Sequence, residues 1–111
     1  MIEIIVLNHL SSKLTEVVDI EKPSAQTGSY VVFEKTSSSK SNHLKSATFA
    51  FQSYGKSLYE AAELNERVKN AVESLIELDE IRGVTLNSDY NFTDTTTKEY
   101  RYQAVFDIKH Y

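Results

Sequence analysis

The chain has 111 residues, 41% of them hydrophobic, and this length suits one globular domain with one core. Its formal charge of -4 argues against a protein that holds nucleic acid mainly by neutralising phosphates. The absence of cysteine excludes disulfides, thiol catalysis and thiolate metal sites, and it permits a cytosolic location.

The first residues are predicted to form a helix followed by a short strand. Residues 1–7 have no basic flank and no long apolar run, so we expect neither a signal peptide nor a membrane span. The β-branched run at residues 4–6 favours a strand, but residues 2–14 carry a helical stripe, and we expect a short helix there. Residues 17–20 are predicted as a short strand that leads into a loop at residues 23–28.

Two further strands are predicted in the first half of the chain. Residues 30–35 are rich in β-branched and aromatic side chains, as a strand requires. Residues 36–42 are polar and bury nothing, so we expect a long flexible connection there. Residues 46–54 then alternate between apolar and polar side chains, which predicts a half-buried strand that Gly55 ends.

The clearest element is an amphipathic helix from Ser57 to Ile76. Apolar residues fall on one half of a 3.6-residue wheel and charged residues fall on the other half. Ser57 and Glu60 form a capping box, in which each side chain bonds the backbone amide of the other residue. Glu63 and Arg67 add an i,i+4 ion pair on the exposed side. The apolar half of this helix needs a sheet to pack on.

The last third of the chain is predicted to form two strands. Residues 78–83 turn the chain, with Gly83 in a positive-φ conformation. Residues 84–92 and 100–109 alternate in the manner of strands, and residues 94–98 connect them. Strands joined by loops imply antiparallel pairing. The sequence therefore predicts an α+β fold, in which a mainly antiparallel β-sheet carries two helices packed on one face of a single two-layer domain.

No pattern of residues predicts catalysis or metal binding. His9, His43 and His110 share no metal-binding spacing. The sequence around Asp94 begins like a calcium loop but lacks the turn glycine that such a loop needs. The chain also has no nucleophile elbow and no glycine-rich phosphate loop. We expect no catalytic residues, no metal and no cofactor, and we expect that the protein is not an enzyme.

Two sets of residues are candidate interaction surfaces. Positive charge concentrates around the polar connection and either solubilises it or contacts an acidic surface, at Lys35, Lys40, His43, Lys45 and Lys56. The outer sheet face is either plain surface or a partner surface, and it mixes polar and aromatic groups at Thr48, Gln52, Tyr54, Arg101, Gln103 and Val105. Asn65, which is polar within the apolar half of the helix, is expected to bond a backbone group at a strand end.

Two sequence runs carry a family resemblance, KSNHLKSATFAFQSYGKSLYEAA at residues 40–62 and LNSDYNFTD at residues 86–94. Together with YVVFEK before them and YRYQAVFDIKHY at the end, they make the chain resemble the small tail-completion or head–tail joining proteins of long-tailed bacteriophages and of prophages in Gram-positive bacteria. The resemblance implies a non-enzymatic virion component that assembles as a ring, implied to be hexameric, between the head connector and the tail tube. Before assembly it would reside in the host cytoplasm.

The partners implied by this resemblance are head-connector and tail proteins and further copies of the chain, with no membrane and no sequence-specific nucleic acid. We expect basic residues of one copy to meet acidic residues of the next, and the candidate interface residues are Lys40, His43, Lys45, Glu63, Glu66 and Glu73. One alternative is a small adaptor module that binds a protein at a sheet edge or sheet face. Another is a small enzyme with a dispersed site.

Overall fold

Five strands in one sheet and two helices make up the fold in the computed structural model, which describes residues 1–22 and 28–111. The sheet order is β1-β2-β3-β5-β4. The helices are α1 (Ile2–Lys13) and α2 (Leu58–Glu73), and the strands are β1 (Val17–Asp19), β2 (Tyr30–Ser41), β3 (Leu44–Gly55), β4 (Ile81–Asn91) and β5 (Tyr100–His110). The predicted α+β fold, mainly antiparallel with two helices, is confirmed.

The core lies between the helices and one face of the sheet. Four phenylalanines from three strands fill its centre, with ring centroids between 5.5 and 6.0 Å apart in each contacting pair. The two helices contribute fully buried aliphatic side chains to the same cluster. The residues that meet at this interface include Phe33, Phe49, Phe51, Phe106, Val6, Leu10, Leu64, Val68 and Val72.

The strand β1 pairs in parallel with β2, with Val17 opposite Tyr30. Antiparallel pairing of neighbours joined by loops is therefore wrong for this pair. Two parallel strands cannot be joined by a tight turn, because the second strand starts at the same end of the sheet as the first. Most of the loop predicted at residues 23–28 lies outside the described residues.

The polar connection predicted at residues 36–42 is a hairpin instead of a flexible loop. Residues 36–41 continue β2, and the backbone ladder with β3 runs as far as Ser41 opposite Leu44. Asn42 and His43 form the two-residue turn, and their φ angles are 50° and 66°, respectively. Positive φ at both positions is the geometry of a type I′ hairpin turn, in which asparagine is favoured. The ladder uses backbone groups only, so it forms without apolar side chains.

A bulge between Lys35 and Ser37 decides which way the end of the hairpin faces. Before the bulge, Glu34 pairs with Ala50, and its side chain faces away from the helices. Beyond it, Ser37 pairs with Thr48 on that same side, so the alternation has shifted by one residue. Lys35 faces the helices, and its ammonium group lies 3.4 Å from the carboxylate of Glu3 in α1.

The helix α2 follows its prediction except at its two ends. The amide of Glu60 donates to Ser57 Oγ at 3.1 Å, but the carboxylate of Glu60 accepts from the amide of Lys56 at 3.0 Å, not from that of Ser57. The extended backbone at Ser57, with φ -141 and ψ 165, brings the Lys56 amide within reach. At the other end the α-helix stops at Glu73, and residues 74–77 continue as a 3-10 turn.

Two glycines have different structural roles. A Cβ on Gly55 would lie 2.5 Å from the backbone nitrogen of Ala61, so the end of β3 and the first turn of α2 can meet only where no side chain stands. Gly83 was predicted to take a positive φ in a turn, and this is wrong. It lies inside β4, beside a register shift that follows Ile81. A Cβ there would meet Lys109 Cβ at 3.8 Å and Lys109 Cδ at 3.9 Å, which are ordinary contacts. The chain turns earlier, where the amide of Ile81 bonds Leu78.

Candidate interaction surfaces

No helix or strand of the described residues covers the sheet face that points away from the helices. Strand alternation and register place side chains from β2, β3, β5 and β4 there in successive rows. The six residues predicted to share this face do share it. We call this surface the outer face, and it comprises Tyr30, Val32, Glu34, Thr48, Ala50, Gln52, Tyr54, Tyr90, Arg101, Gln103, Val105 and Asp107.

A chain of hydrogen bonds crosses the outer face. Arg101 Nη1 donates to Tyr54 OH at 3.0 Å, and Tyr54 OH donates to Gln52 Oε1 at 3.1 Å. Gln52 Nε2 then donates to Gln103 Oε1 at 2.9 Å, and Gln103 Nε2 donates to the hydroxyl of Tyr90. These side chains fix one another's rotamers, so the surface is ordered before any partner arrives.

Aromatic rings and cations gather at one end of the outer face. Tyr30 and Tyr54 stack with ring centroids 4.5 Å apart, and burial raises the pKa of Tyr30 above its usual range. The guanidinium carbon of Arg101 lies 4.6 Å from the ring centroid of Phe92, which is 39% exposed. Tyr90, at 41% exposure, is also accessible. Exposed aromatic groups beside an ordered arginine are typical of binding surfaces.

The carboxylate of Asp107 on the outer face is already occupied by hydrogen bonds. It accepts from Thr48 Oγ1 at 2.7 Å and from Asn87 Nδ2 at 3.2 Å. Beyond the face, Lys22 and Glu99 form an ion pair, and the hydrogen bond from Lys22 to Glu99 raises the pKa of the lysine. Between Asp107 and the Lys22–Glu99 pair, the outer face consists mostly of amides, hydroxyls, aromatic rings and small apolar groups. This low density of charge suits contact with another protein.

The structure brings three of the predicted interface residues together at the hairpin turn. Lys40 and Lys45 stand directly opposite each other across the hairpin, and His43 lies in the turn. Two other lysines of the predicted basic group are elsewhere. Lys35 pairs with α1, and Lys56 follows Gly55 at the far end of β3. The basic group is thus smaller than predicted, because the extended hairpin separates residues that the predicted flexible connection would have gathered.

The acidic members of the predicted interface lie on the exposed side of α2. Glu63 accepts from Arg67 Nε at 2.8 Å, which confirms the predicted i,i+4 pair. Glu66 lies 3.1 Å from Lys69. Glu73 has no ion-pair partner among the described residues. Within one copy, the acidic and basic groups therefore make no contact with each other.

A hollow of about 340 Å³ lies beside the hairpin turn. Its walls carry hydroxyl, amide and ammonium groups and one leucine, but no carboxylate. We call it the hairpin hollow, and its lining residues are Ser39, Ser41, Asn42, Leu44, Lys45, Ser46 and Lys109. Sequence reasoning missed Leu44 and Lys109, because a flexible loop at residues 36–42 would have offered no wall for a hollow.

Arg67 ties α2 to the segment between α1 and β1. Its two terminal nitrogens donate to the two carboxylate oxygens of Glu16 at 2.8 and 2.7 Å. These hydrogen bonds lower the pKa of Glu16 and raise the pKa of Arg67. A bidentate pair of this kind fixes geometry better than two flexible charges do.

Asn65 bonds a side chain, not the strand-end backbone group that the sequence predicted. Its Nδ2 donates to Asp89 Oδ1 at 2.7 Å, while Lys69 Nζ lies 2.5 Å from Asp89 Oδ2. A bulge between Leu86 and Ser88 turns Asp89 towards the helix side of β4, which puts a carboxylate within reach. The bond from Lys69 to Asp89 raises the pKa of the lysine.

A histidine of α1 and a serine at the end of α2 meet where the two helices pack, and Ser74 also lines a hollow of about 290 Å³. His9 Nε2 lies 2.7 Å from Ser74 Oγ, and burial lowers the pKa of His9. Ser74 Oγ donates its proton to the carbonyl of Ala71 at 2.6 Å. In this arrangement His9 donates to the serine and takes no proton from it, so the pair joins the helices without activating a nucleophile.

Among residues 1–22 and 28–111, no group of three or more histidine or acidic side chains is placed to hold a metal ion. No helix in that part of the chain is both long enough and apolar enough to cross a membrane. No protein-family model matches the chain, and no curated protein matches its sequence.

Proposed function

We propose that the protein is a structural virion component of the tail-completion or head–tail joining type, which assembles as a ring between the head connector and the tail tube. The observation that carries this proposal is the outer face, an ordered surface of a small domain that no helix or strand of the described residues covers. The resemblance at residues 40–62 and 86–94 supplies the family. The order of helices and strands agrees with that resemblance.

The composition of the outer face supports a role in assembly. Tyrosine, phenylalanine and arginine are enriched in protein interfaces, and unpaired charges are depleted at their centres. Tyr54 and Arg101 stand in this face with their polar groups already bonded, so little side-chain entropy is lost when a partner covers them. The His9–Ser74 pair, by contrast, carries no catalytic arrangement.

The two-layer fold also supports assembly as a ring. Each copy offers two different surfaces, the outer face of the sheet and the helix layer. Contact between unlike surfaces is heterologous, and it closes into a ring when the rotation between copies allows. The large apolar side chains that remain exposed are distributed over several elements, at positions such as Ile4, Tyr59 and Leu86. We therefore expect a free protein that is monomeric or weakly associated and a ring that closes only on its partner.

The proposal is tested by electron microscopy of phage particles made without this protein. Complete tails and filled heads should accumulate separately, and the wild-type gene supplied in trans should restore joining. A variant with Arg101→Ala and Tyr90→Ala should fail to restore it. Thr95→Ala, in the exposed turn between β4 and β5, is the matched control and should restore it. Normal virions in the absence of the protein would rule out the joining function.

One observation favours the alternative of an adaptor that binds by strand addition. Beyond Val32, the strand β2 has no neighbour among the described residues on the side away from β3. Such an edge can accept an extended peptide, although the bulge after Lys35 works against regular pairing. Hydrogen exchange in a partner complex separates the two functions. Strand addition would protect the outward amides of residues 34–41, whereas contact through the outer face would leave those amides unchanged.

A further inference from the structure

The side of α1 that points away from the domain carries no charged side chain. Ile2, Val6 and Leu10 recur every four residues, and all three are buried in the core. The opposite side holds two isoleucines, one asparagine and two serines, and Ile4 is 48% exposed there. We call this surface the α1 outward face, and it comprises Ile4, Ile5, Asn8, Ser11 and Ser12.

The charged residues of α1 turn away from this face. The carboxylate of Glu3 lies 3.4 Å from the ammonium group of Lys35 in β2, and Lys13 lines the hollow of about 290 Å³ beside Arg67 of α2. The exposed side of α2 is different, because four glutamates lie on it within residues 60–73. Surface helices ordinarily carry charge opposite their buried side, and loss of that charge is typical of a face that another protein covers.

The α1 outward face has large side chains at one end and small ones at the other. Ile4 and Ile5 lie about one turn before Asn8, and the two serines lie about one turn after it. When two such faces meet antiparallel with Asn8 at the centre, the isoleucines of each copy come over the serines of the other. Small side chains opposite large ones allow two helices to pack closely. The face is therefore complementary to itself.

We propose that the α1 outward face binds the same face of a second copy, with the two helices antiparallel about a two-fold axis at Asn8. The isoleucines of each copy pack on the serines of the other. The two Asn8 amides meet at the axis, where each offers both a donor and an acceptor. A second copy suits this face because no like charges meet when the face pairs with itself.

The dimer formed in this way is weak and separate from the proposed ring. Two isoleucines in each copy bury little apolar area compared with a stable interface, so the dimer forms only at high protein concentration. A contact of a face with itself pairs two copies and leaves no free end, whereas a ring needs contact between unlike faces. The inference therefore goes beyond the proposed function and does not depend on it.

Cysteine cross-linking tests this contact, and the natural chain contains no cysteine that would interfere. Asn8→Cys is oxidised at about 1 mM, a concentration that populates contacts of millimolar affinity. Its two thiols meet at the axis, so we expect a covalent homodimer at least five-fold above that from Thr95→Cys, which lies in the exposed turn between β4 and β5. A yield equal to the control would overturn the proposal.

Two further cysteine variants test the antiparallel arrangement. Ile4→Cys mixed with an affinity-tagged Ser11→Cys should give a heterodimer, because these two residues oppose each other. Ile4→Cys alone should stay at the control yield, because its two copies would lie about 12 Å apart along the helices, at about 1.5 Å per residue. A disulfide needs Cα atoms within about 7 Å. A homodimer of Ile4→Cys without the heterodimer would mean parallel helices and reject this packing.

A charge placed in the face distinguishes a specific contact from chance collision. Adding Ile4→Glu to Asn8→Cys should reduce the homodimer at least ten-fold, because the contact would bury an unpaired carboxylate. Adding Thr95→Glu should leave the yield unchanged, and circular dichroism confirms that each variant is folded. Unchanged cross-linking with Ile4→Glu would reject the packing. Binding to phosphatidylglycerol vesicles that Ile4→Glu abolishes, without any cross-link, would assign the face to a membrane surface instead.

These results are independent of the virion experiment. A cross-linked dimer together with normal virions in the absence of the protein would retain the contact and reject the joining function. Separate heads and tails without any cross-linked dimer would retain the function and reject this contact.

Discussion

The same two strands, β2 and β3, pass through two regions held together by different forces. In the body of the domain, Phe33, Phe49 and Phe51 are buried under the helices. At the turn end, residues 37–43 are exposed and polar, and the pairing there consists of backbone hydrogen bonds and the turn. Only the body contributes hydrophobic stabilisation, so the turn end can vary in sequence and conformation without unfolding the domain.

The largest expected effect tests this comparison with one substitution in each region. Phe51→Ala removes a fully buried ring that contacts Phe33, Phe49 and Phe106, and it should lower the free energy of unfolding by about 3 to 5 kcal/mol. Ser38→Ala at the turn end should change it by less than about 0.5 kcal/mol. Urea unfolding followed by circular dichroism measures both. Similar losses in the two variants would contradict a division between body and turn end.

A matched pair of glycines gives the next largest effect. Gly55→Ala places a Cβ against the backbone of Ala61 in the body, and because backbone atoms must move, it should cost about 1 to 3 kcal/mol. Gly83→Ala meets only ordinary contact with Lys109, so its effect should stay within about 0.5 kcal/mol of zero. Thermal unfolding of both variants is the measurement. A neutral Gly55→Ala would show that α2 does not pack closely on the end of β3.

A smaller effect comes from the ion pair between Arg67 and Glu16, which holds the helix layer together. The hydrogen bonds from Arg67 lower the pKa of Glu16, and a carboxyl with a lowered folded pKa stabilises the fold above its unfolded pKa. This contribution is lost as the pH falls through the folded pKa. Glu16→Gln should cost about 0.5 to 1 kcal/mol at pH 7, since the pair is partly exposed.

The pH dependence provides the control for this pair. The difference between wild type and Glu16→Gln should begin to shrink as the pH falls below the ordinary glutamate pKa of about 4.3, and it should be lost once the pH has fallen through the lowered folded pKa. Glu21→Gln, at an exposed position, is the matched control and should leave the free energy of unfolding within about 0.5 kcal/mol of wild type. A constant difference from pH 7 to pH 3 would mean that the side chain acts through packing and not through its charge.

The smallest effect belongs to the turn. His43 has a φ of 66°, a conformation that costs a non-glycine residue about 1 kcal/mol. His43→Gly removes this cost but adds chain entropy to the unfolded state, so it should stabilise the protein by roughly 0.5 kcal/mol.

Amides of residues 37–43 should exchange faster than those of residues 49–53 in free wild type and should slow in the variant. In intact virions they should also slow. Equal exchange in free and assembled protein would remove the turn end from the assembly contact.

The elements that the sequence predicted correctly are those in which apolar side chains repeat at the spacing of one buried face of the helix or strand. The helix α2 and the strand β5 both show this relation, because one side of each packs in the core and its residues repeat accordingly. The outer face was predictable for the same reason, since the alternate residues of β3 and β5 had to lie on the opposite side.

What could not be predicted depends on backbone geometry that leaves no apolar period. Residues 36–41 form a strand with polar side chains on both faces, so their sequence shows no strand periodicity. The hairpin depends on the positive φ of Asn42 and His43, which a sequence does not display. The bulge after Lys35 changes which residues share a side, and no local pattern marks it. The hairpin hollow requires both features at once, and its two lysines come from strands far apart in sequence.

The strand order has a consequence for how the chain folds. The pairs β2–β3 and β4–β5 are neighbours in sequence, so their turns can form early and locally. The central pair β3–β5 joins residues that are 45 positions apart at Gly55 and Tyr100 and 65 apart at Lys45 and His110. Closing this seam carries the largest loop entropy in the sheet, so it should limit the folding rate. Until it closes, Phe49, Phe51 and Phe106 lie on open strand edges, and aggregation competes with folding at that stage.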